Sequence, residues 1–119
     1  MSMVTRRALQ SLNKKYCVPC EGGVAAVSRN EAKRYLRGLK NWTLSPDAKS
    51  IRSEHRMKDF MAAIKFINRI AKIAEKEGHH PDLRLYGYRR FQVELSTHAI
   101  GGLSENDFIL AAKIDKLSP

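Results

Sequence analysis

The chain has no apolar run approaching the roughly 20 residues that a membrane-crossing helix needs, and no secretory-type apolar segment follows its basic start. Both absences point to a protein kept inside a cell, in the cytoplasm or a mitochondrion. Acid is scarce at the beginning: residues 1–40 carry nine Lys/Arg against only Glu21 and Glu31, whereas the other 79 carry thirteen against ten acids. "MSMVTRRALQSLNKKY" contains four basic residues, three hydroxyl side chains before Tyr16 and no acid. That composition suits either an organellar transit peptide or a disordered basic tail. Cysteine is confined to Cys17 and Cys20 in "CVPC". A zinc site needs two further ligands, and redox folds set such a pair between a strand and a helix, so the expectation is an unpaired structural or vestigial feature. Neither an internal repeat nor a low-complexity tract is present.

What is there is ordinary for one globular domain: 119 residues, 43% apolar, 29% charged, net charge +10. Ser28 and Glu31 form a capping box, and Ala32, Tyr35, Leu36 and Leu39 follow at helical spacing, which predicts a helix over about 29–39. A Ser-Pro-Asp turn then separates strands expected near 42–45 and 50–57. Between Lys58 and Lys76 there is neither Gly nor Pro, and Phe60, Ala63, Ile64, Ile67, Ile70, Ala71 and Ala74 mark one apolar stripe of a long helix. Phe66 and Ile73 lie off that stripe, so a second helix or a second subunit is expected to cover them. Gly78 ends the helix and Pro81 prevents its continuation. In "YRRFQVELSTH", Phe91, Val93 and Leu95 alternate with Gln92, Glu94, Ser96 and His98, the pattern of a strand with one dry face. Ser104 then caps a final helix with Phe108, Ala111, Ala112 and Asp115 on one face. Connections this short leave too few residues for parallel crossovers. The expected fold is α+β, a four-stranded antiparallel sheet with about three helices on one face, over residues 28–119 behind a basic extension of residues 1–27.

Histidine titrates near neutral pH, so it exchanges protons in a cell without large tuning. His79 and His80 leave a helix end at a Gly/Pro-bounded loop, and His98 leaves a strand end at a glycine-bounded loop. If the sheet joins those loops, three imidazoles surround one pocket. His55 shares strand parity with Ile51 and Met57 and reads as a partly buried core residue. Three histidines could hold zinc, but the side chains of adjacent residues diverge, so no metal is expected. Glu75 and Asp107 are the carboxylates best placed to orient imidazoles, while Asp107 also fits the acidic third position of an S-x-x-D cap.

"EKEGHHPDL" followed after eleven residues by "LSTHAIGGLSENDFILAAKID" resembles the pterin-4a-carbinolamine dehydratases, and "NWTL" and "MKDFMAAIKFINRIA" are similar to that family's tryptophan strand and long helix. The resemblance covers about residues 28–117; upstream, "KKxCVPC" is similar to the leader of plant-type members. It implies a cofactor-free dehydratase acting on 4a-hydroxytetrahydropterin in the recycling of tetrahydrobiopterin, linked to an aromatic amino acid hydroxylase. It further implies catalysis by His79, His80 and His98, with His80 expected as base and His79 or His98 as acid. The pterin edge would pair with the segments Gly78, His79, His80, Pro81 and Ser96, Thr97, His98, Ala99, and Glu75 and Asp107 would orient the imidazoles. Two departures touch the pterin packing and the electrostatics of the mouth: Leu83, where many animal members have an aromatic residue, and Asn106, where they have arginine. Family members form dimers and tetramers, and animal members also serve as dimerisation partners of a homeodomain transcription factor. A non-catalytic scaffold is therefore the alternative to the enzyme. Direct nucleic-acid binding is not expected, because Lys58, Lys65, Arg69, Lys72 and Lys76 mix with Asp59 and Glu75 on a solvated helix face.

Overall fold

The computed structural model describes residues 12–18 and 25–117. Helix α1 spans Arg29–Leu36 and starts at the expected capping box, in which Ser28 Oγ accepts the Glu31 N–H at 3.2 Å and Glu31 Oε1 accepts the Ser28 N–H at 3.4 Å. It stops three residues short of Leu39. The chain must turn sharply into the sheet, and Asn41 adopts φ 54° to do so, a conformation asparagine tolerates better than most residues.

Strands β1 (Trp42–Leu44) and β2 (Ile51–Arg56) form the expected hairpin, with β3 (Asp82–Tyr86) and β4 (Arg90–Leu95) completing an antiparallel sheet in the order β1-β2-β4-β3. Strand β3 has no counterpart among the elements located in the sequence. "DLRLY" alternates for only five residues and forms a sheet edge where Leu83 stays exposed, so its burial signal is faint. On β2 and β4, Ile51, Ser53, Phe91, Val93 and Leu95 point into the core and Arg52, Glu54 and Arg56 point to solvent. His55 is half-buried as expected, its ring stacked on Phe91 at 4.7 Å.

Helix α2 runs Phe60–Glu77, opened by Asp59, whose Oδ1 accepts the Ala62 N–H at 2.7 Å. Its buried residues are Ala63, Phe66, Ile70 and Ala74. The apolar stripe is therefore rotated from the one predicted. Phe66 lies in the core against Phe91 and His55, while Phe60 and Met61 remain 47% and 58% exposed and Ala71 faces solvent. Counting apolar positions found the helix but misplaced its centre, because the stripe spans more of the circumference than the sheet covers.

The last helix, α3 (Glu105–Asp115), shows a larger departure from its predicted single apolar face. Every residue from Asn106 to Ala112 is buried, Asn106 and Asp107 included. Residues 12–18 lie across it, with Leu12 wholly buried at the start of a short 3-10 turn, Leu12–Lys14. Asp115, predicted to share the apolar face, accepts the indole N–H of Trp42 at 2.8 Å and the backbone N–H of Lys40 at 2.7 Å, tying α3 to the start of β1. Among the described residues no helix is long and apolar enough to cross a membrane.

Candidate active site

The end of α2 sets the first loop of the site. Gly78 takes φ 66° and ψ 25°, its N–H donates to Glu75 O at 3.3 Å, and the His79 N–H reaches Ala74 O at 3.2 Å. This double closure requires a residue in the left-handed region after the last helical turn, which is the reason for glycine here. It also turns the His79 side chain inward and leaves His80 outside. His79 is 6% exposed, and His80 lies open to solvent.

Strand pairing brings the second loop alongside. Asp82 pairs with Glu94, so the residues just before β3 and just after β4 leave the same end of the sheet. Beyond Leu95 the chain makes a bridge between Thr97 and Gly102, enclosing a 3-10 turn, His98–Ile100, that Gly101 closes at φ 63°. His98 therefore sits on this turn rather than at a strand end, and it is exposed.

Asp107 joins the two loops. Its Oδ1 lies 2.6 Å from His79 Nε2, while Oδ2 accepts from the Thr97 hydroxyl at 2.8 Å and from the Ser104 N–H at 3.0 Å. With a carboxylate as acceptor, the proton of the first contact belongs to Nε2. Ser104 and Thr97 share a further hydroxyl–hydroxyl bond of 2.7 Å. One wholly buried carboxylate thus makes both the cap of α3 and the contact with His79. Glu75 Oε1 lies 2.9 Å from His80 Nε2, but both side chains are well exposed and the pair adds little stability.

Of the residues expected to hold a ligand, Gly78, His80, His98 and Ala99 are exposed and Pro81 and Ser96 are half-buried. Thr97 differs: its side chain is spent on Asp107 and Ser104, and its N–H donates to Gly102 O at 2.7 Å, so it is internal framework. The N–H of His79 is likewise committed to Ala74. Among the described residues, no three His, Cys, Asp or Glu side chains are grouped as metal ligands would be. Cys17 is half-buried, and burial, with Glu77 nearby, pushes its thiol up to about 12, so it stays protonated at neutral pH. Cys20 lies outside the described residues.

Ser104, Glu77 and Asn106 also belong to this neighbourhood. Only the S-x-x-D spacing hinted at the first, and nothing local signals that Glu77 and Asn106 are buried polar groups.

An antiparallel sheet backed by helices, with two loops locked together through a buried His–Asp pair and two further imidazoles at their surface, defines a small α+β domain. The profile of the pterin 4 alpha carbinolamine dehydratase family matches residues 25–117. A Halorhodospira halophila protein, named provisionally as such a dehydratase, is 48% identical over 90% of this chain and 97% of its own length. An Arabidopsis thaliana protein named pterin-4-alpha-carbinolamine dehydratase 2, mitochondrial, is 44% identical over 92% of this chain and 60% of its own length. Among solved structures, the transcriptional coactivator/pterin dehydratase from Brucella melitensis superposes with a TM-score of 0.71 at 32% identity, covering 76% of this chain and 95% of the other. The chain belongs to the pterin-4-alpha-carbinolamine dehydratase family, whose name describes a hydro-lyase.

Proposed function

We propose that this chain removes water from 4a-hydroxytetrahydropterin to give quinonoid dihydropterin, as a step in tetrahydrobiopterin recycling that serves an aromatic amino acid hydroxylase. In this reading the C4a–O bond breaks as a protonated imidazole gives its proton to the departing oxygen. The ring N–H gives its own proton to a neutral imidazole, and the nitrogen lone pair forms the new double bond to C4a. One proton enters and one leaves, so the histidines are restored as a set and neither metal nor organic cofactor takes part. The observation that carries the reading is the Asp107 bridge, which fixes His79 beside the loop that carries His98. His79 is the positioned residue of the three. His80, with Glu75 at its Nε2, and His98 are open to an incoming ligand. His80 is assigned as base and His79 or His98 as acid.

The test is dehydration of freshly generated 4a-hydroxytetrahydropterin, followed by ultraviolet absorbance with and without chelator. Acceleration that chelator leaves intact and His80→Ala abolishes is the expected result. A rate no faster than the spontaneous one overturns the enzyme reading.

The same reading includes a homo-oligomer formed through the uncovered arc of α2, where Phe60 and Met61 are exposed and Ile64 is half-buried. A cytoplasmic or mitochondrial location also belongs to it, supported by the acid-free N-terminus and by the mitochondrial designation of the Arabidopsis relative. The Brucella relative's title carries a coactivator role beside the dehydratase one. A scaffold role for this chain would leave oligomerisation and partner capture unaffected by His80→Ala.

A further inference from the structure

Residues 15–18 cross the molecule where the two halves of the His79–Asp107 pair originate. The Cys17 N–H donates to Glu77 Oε1 at 2.7 Å, and the next N–H, that of Val18, donates to Asn106 Oδ1 at 3.0 Å. Asn106 returns a bond from Nδ2 to Val18 O at 2.7 Å. Glu77 ends α2 two residues before His79, and Asn106 immediately precedes Asp107 in α3. Consecutive amides of one strap therefore hold the end of one helix and the start of the other.

The contacts are built rather than incidental. The Glu77 side chain is 3% exposed and its second oxygen lies 3.4 Å from the Lys113 ammonium, which itself sits 4.7 Å from the ring centroid of Tyr16. A buried carboxylate is tolerated only when partnered, and here the strap supplies one partner and α3 the other. The Asn106 side chain is buried, and both functions of its amide are used by Val18. Lys15 adds an ion pair to Glu105 at 3.2 Å, and buried Leu12 anchors the strap upstream.

We propose that residues 15–18 are a brace for the proton-transfer site, and that Glu77 and Asn106 are positioning residues acting on His79 and Asp107. The hydrogen bond they serve spans two separate elements, and a shift of about 0.5 Å between supporting elements is enough to spoil a catalytic geometry. This rests on the assignment of His79 to proton transfer. It gives the departure at Asn106 a specific meaning, since an amide, unlike an arginine, can both accept from and donate to one backbone residue.

The test uses the full chain with Glu77→Ala, Asn106→Ala and the conservative Glu77→Gln, which keeps an acceptor for the Cys17 N–H. Two quantities are read: kcat and KM for 4a-hydroxytetrahydropterin, and the NMR signal of the hydrogen-bonded His79 Nε2 proton. Both alanine variants are expected to lower kcat by about tenfold with KM changed less than about twofold, the scale seen when groups that orient catalytic ligands are removed. The Nε2 proton signal broadens or exchanges away in both, and Glu77→Gln recovers kcat to within about threefold. An unchanged proton signal and unchanged kcat in a folded Asn106→Ala chain overturn the brace. If that variant does not fold, Leu12→Ala loosens the strap from its own side, and the same two readouts decide once hydrogen exchange shows the Cys17 and Val18 amides released. The proton signal tests the brace even if the unaltered chain proves inactive, so the failure of the dehydratase reading and the failure of this one are told apart.

Discussion

Asp107 accepts three hydrogen bonds through two oxygens, so its substitution should separate structure from chemistry. Asp107→Asn keeps an acceptor but sets an amide N–H against one of three donors, which should cost about 1–3 kcal/mol in urea unfolding and lower kcat by about 10–100-fold. A kcat within twofold of the unaltered chain would remove Asp107 from the catalytic reading. His80 is the contrast. Because it is exposed and its partner Glu75 more so, His80→Ala should change stability by less than about 0.5 kcal/mol while removing about 100-fold or more of the activity. Coincident loss of fold and activity would contradict the exposed position. At this scale the histidine-proline doublet and the distant "STH" were legible as residue types suited to proton exchange. That Thr97 is internal framework was not, since a hydroxyl beside a candidate histidine looks the same whether it faces a ligand or a buried carboxylate.

Helix α2 shows how one local conformation serves the site. The turn at Gly78 has φ 66°, and a Cβ built there meets nothing within 4 Å, so the cost of Gly78→Ala is conformational rather than steric. It should destabilise the chain by about 1–2 kcal/mol and, by letting the helix end relax, shift His79 away from Asp107. Thermal unfolding measures the first effect and kcat the second; a neutral Gly78→Ala would show that the left-handed turn is dispensable. Glycine and proline punctuation made the end of α2 legible in the sequence. The stripe it buries was not, because residues such as Phe60 and Phe66 are equally apolar and only the placement of the sheet decides which is covered. Strand β3 is faint in the sequence for a related reason: an edge strand is held by its ladder to β4 and needs no burial pattern of its own.

Two predictions concern the whole molecule. His55 is half-buried against Phe91, and burial lowers its pKa from 6.5. Below about pH 6.5 the unfolded chain therefore binds more protons than the folded one, and stability is lost as pH falls through the lowered folded value. His55→Phe retains an aromatic ring on Phe91 and should flatten the slope of unfolding free energy against pH below about 6.5. An unchanged slope would assign the acid sensitivity elsewhere. Asp115, raised above 3.8 mainly by burial, acts in the opposite sense: its contribution is complete below 3.8 and declines as pH rises through the folded value. The second prediction concerns assembly. Placing charge on the exposed arc with Met61→Lys should shift an oligomer toward monomer in light scattering, with the fold intact by circular dichroism; no shift would place the interface elsewhere.

Read by itself, the sequence determined the α+β class, the hairpin, the long helix with its glycine stop, and the three imidazoles with two carboxylates beside them. These follow from short-range chemistry: caps, turns, periodicity and the proton affinity of histidine. Only the tertiary structure decided that α3 is buried around its circumference, that residues 12–18 supply its cover, and that Asp107 reaches from the start of one helix to a histidine beyond the end of another. Residues 79 and 107 are neighbours because sheet order and helix docking make them so, and a carboxylate's partners across that separation leave no trace in local spacing.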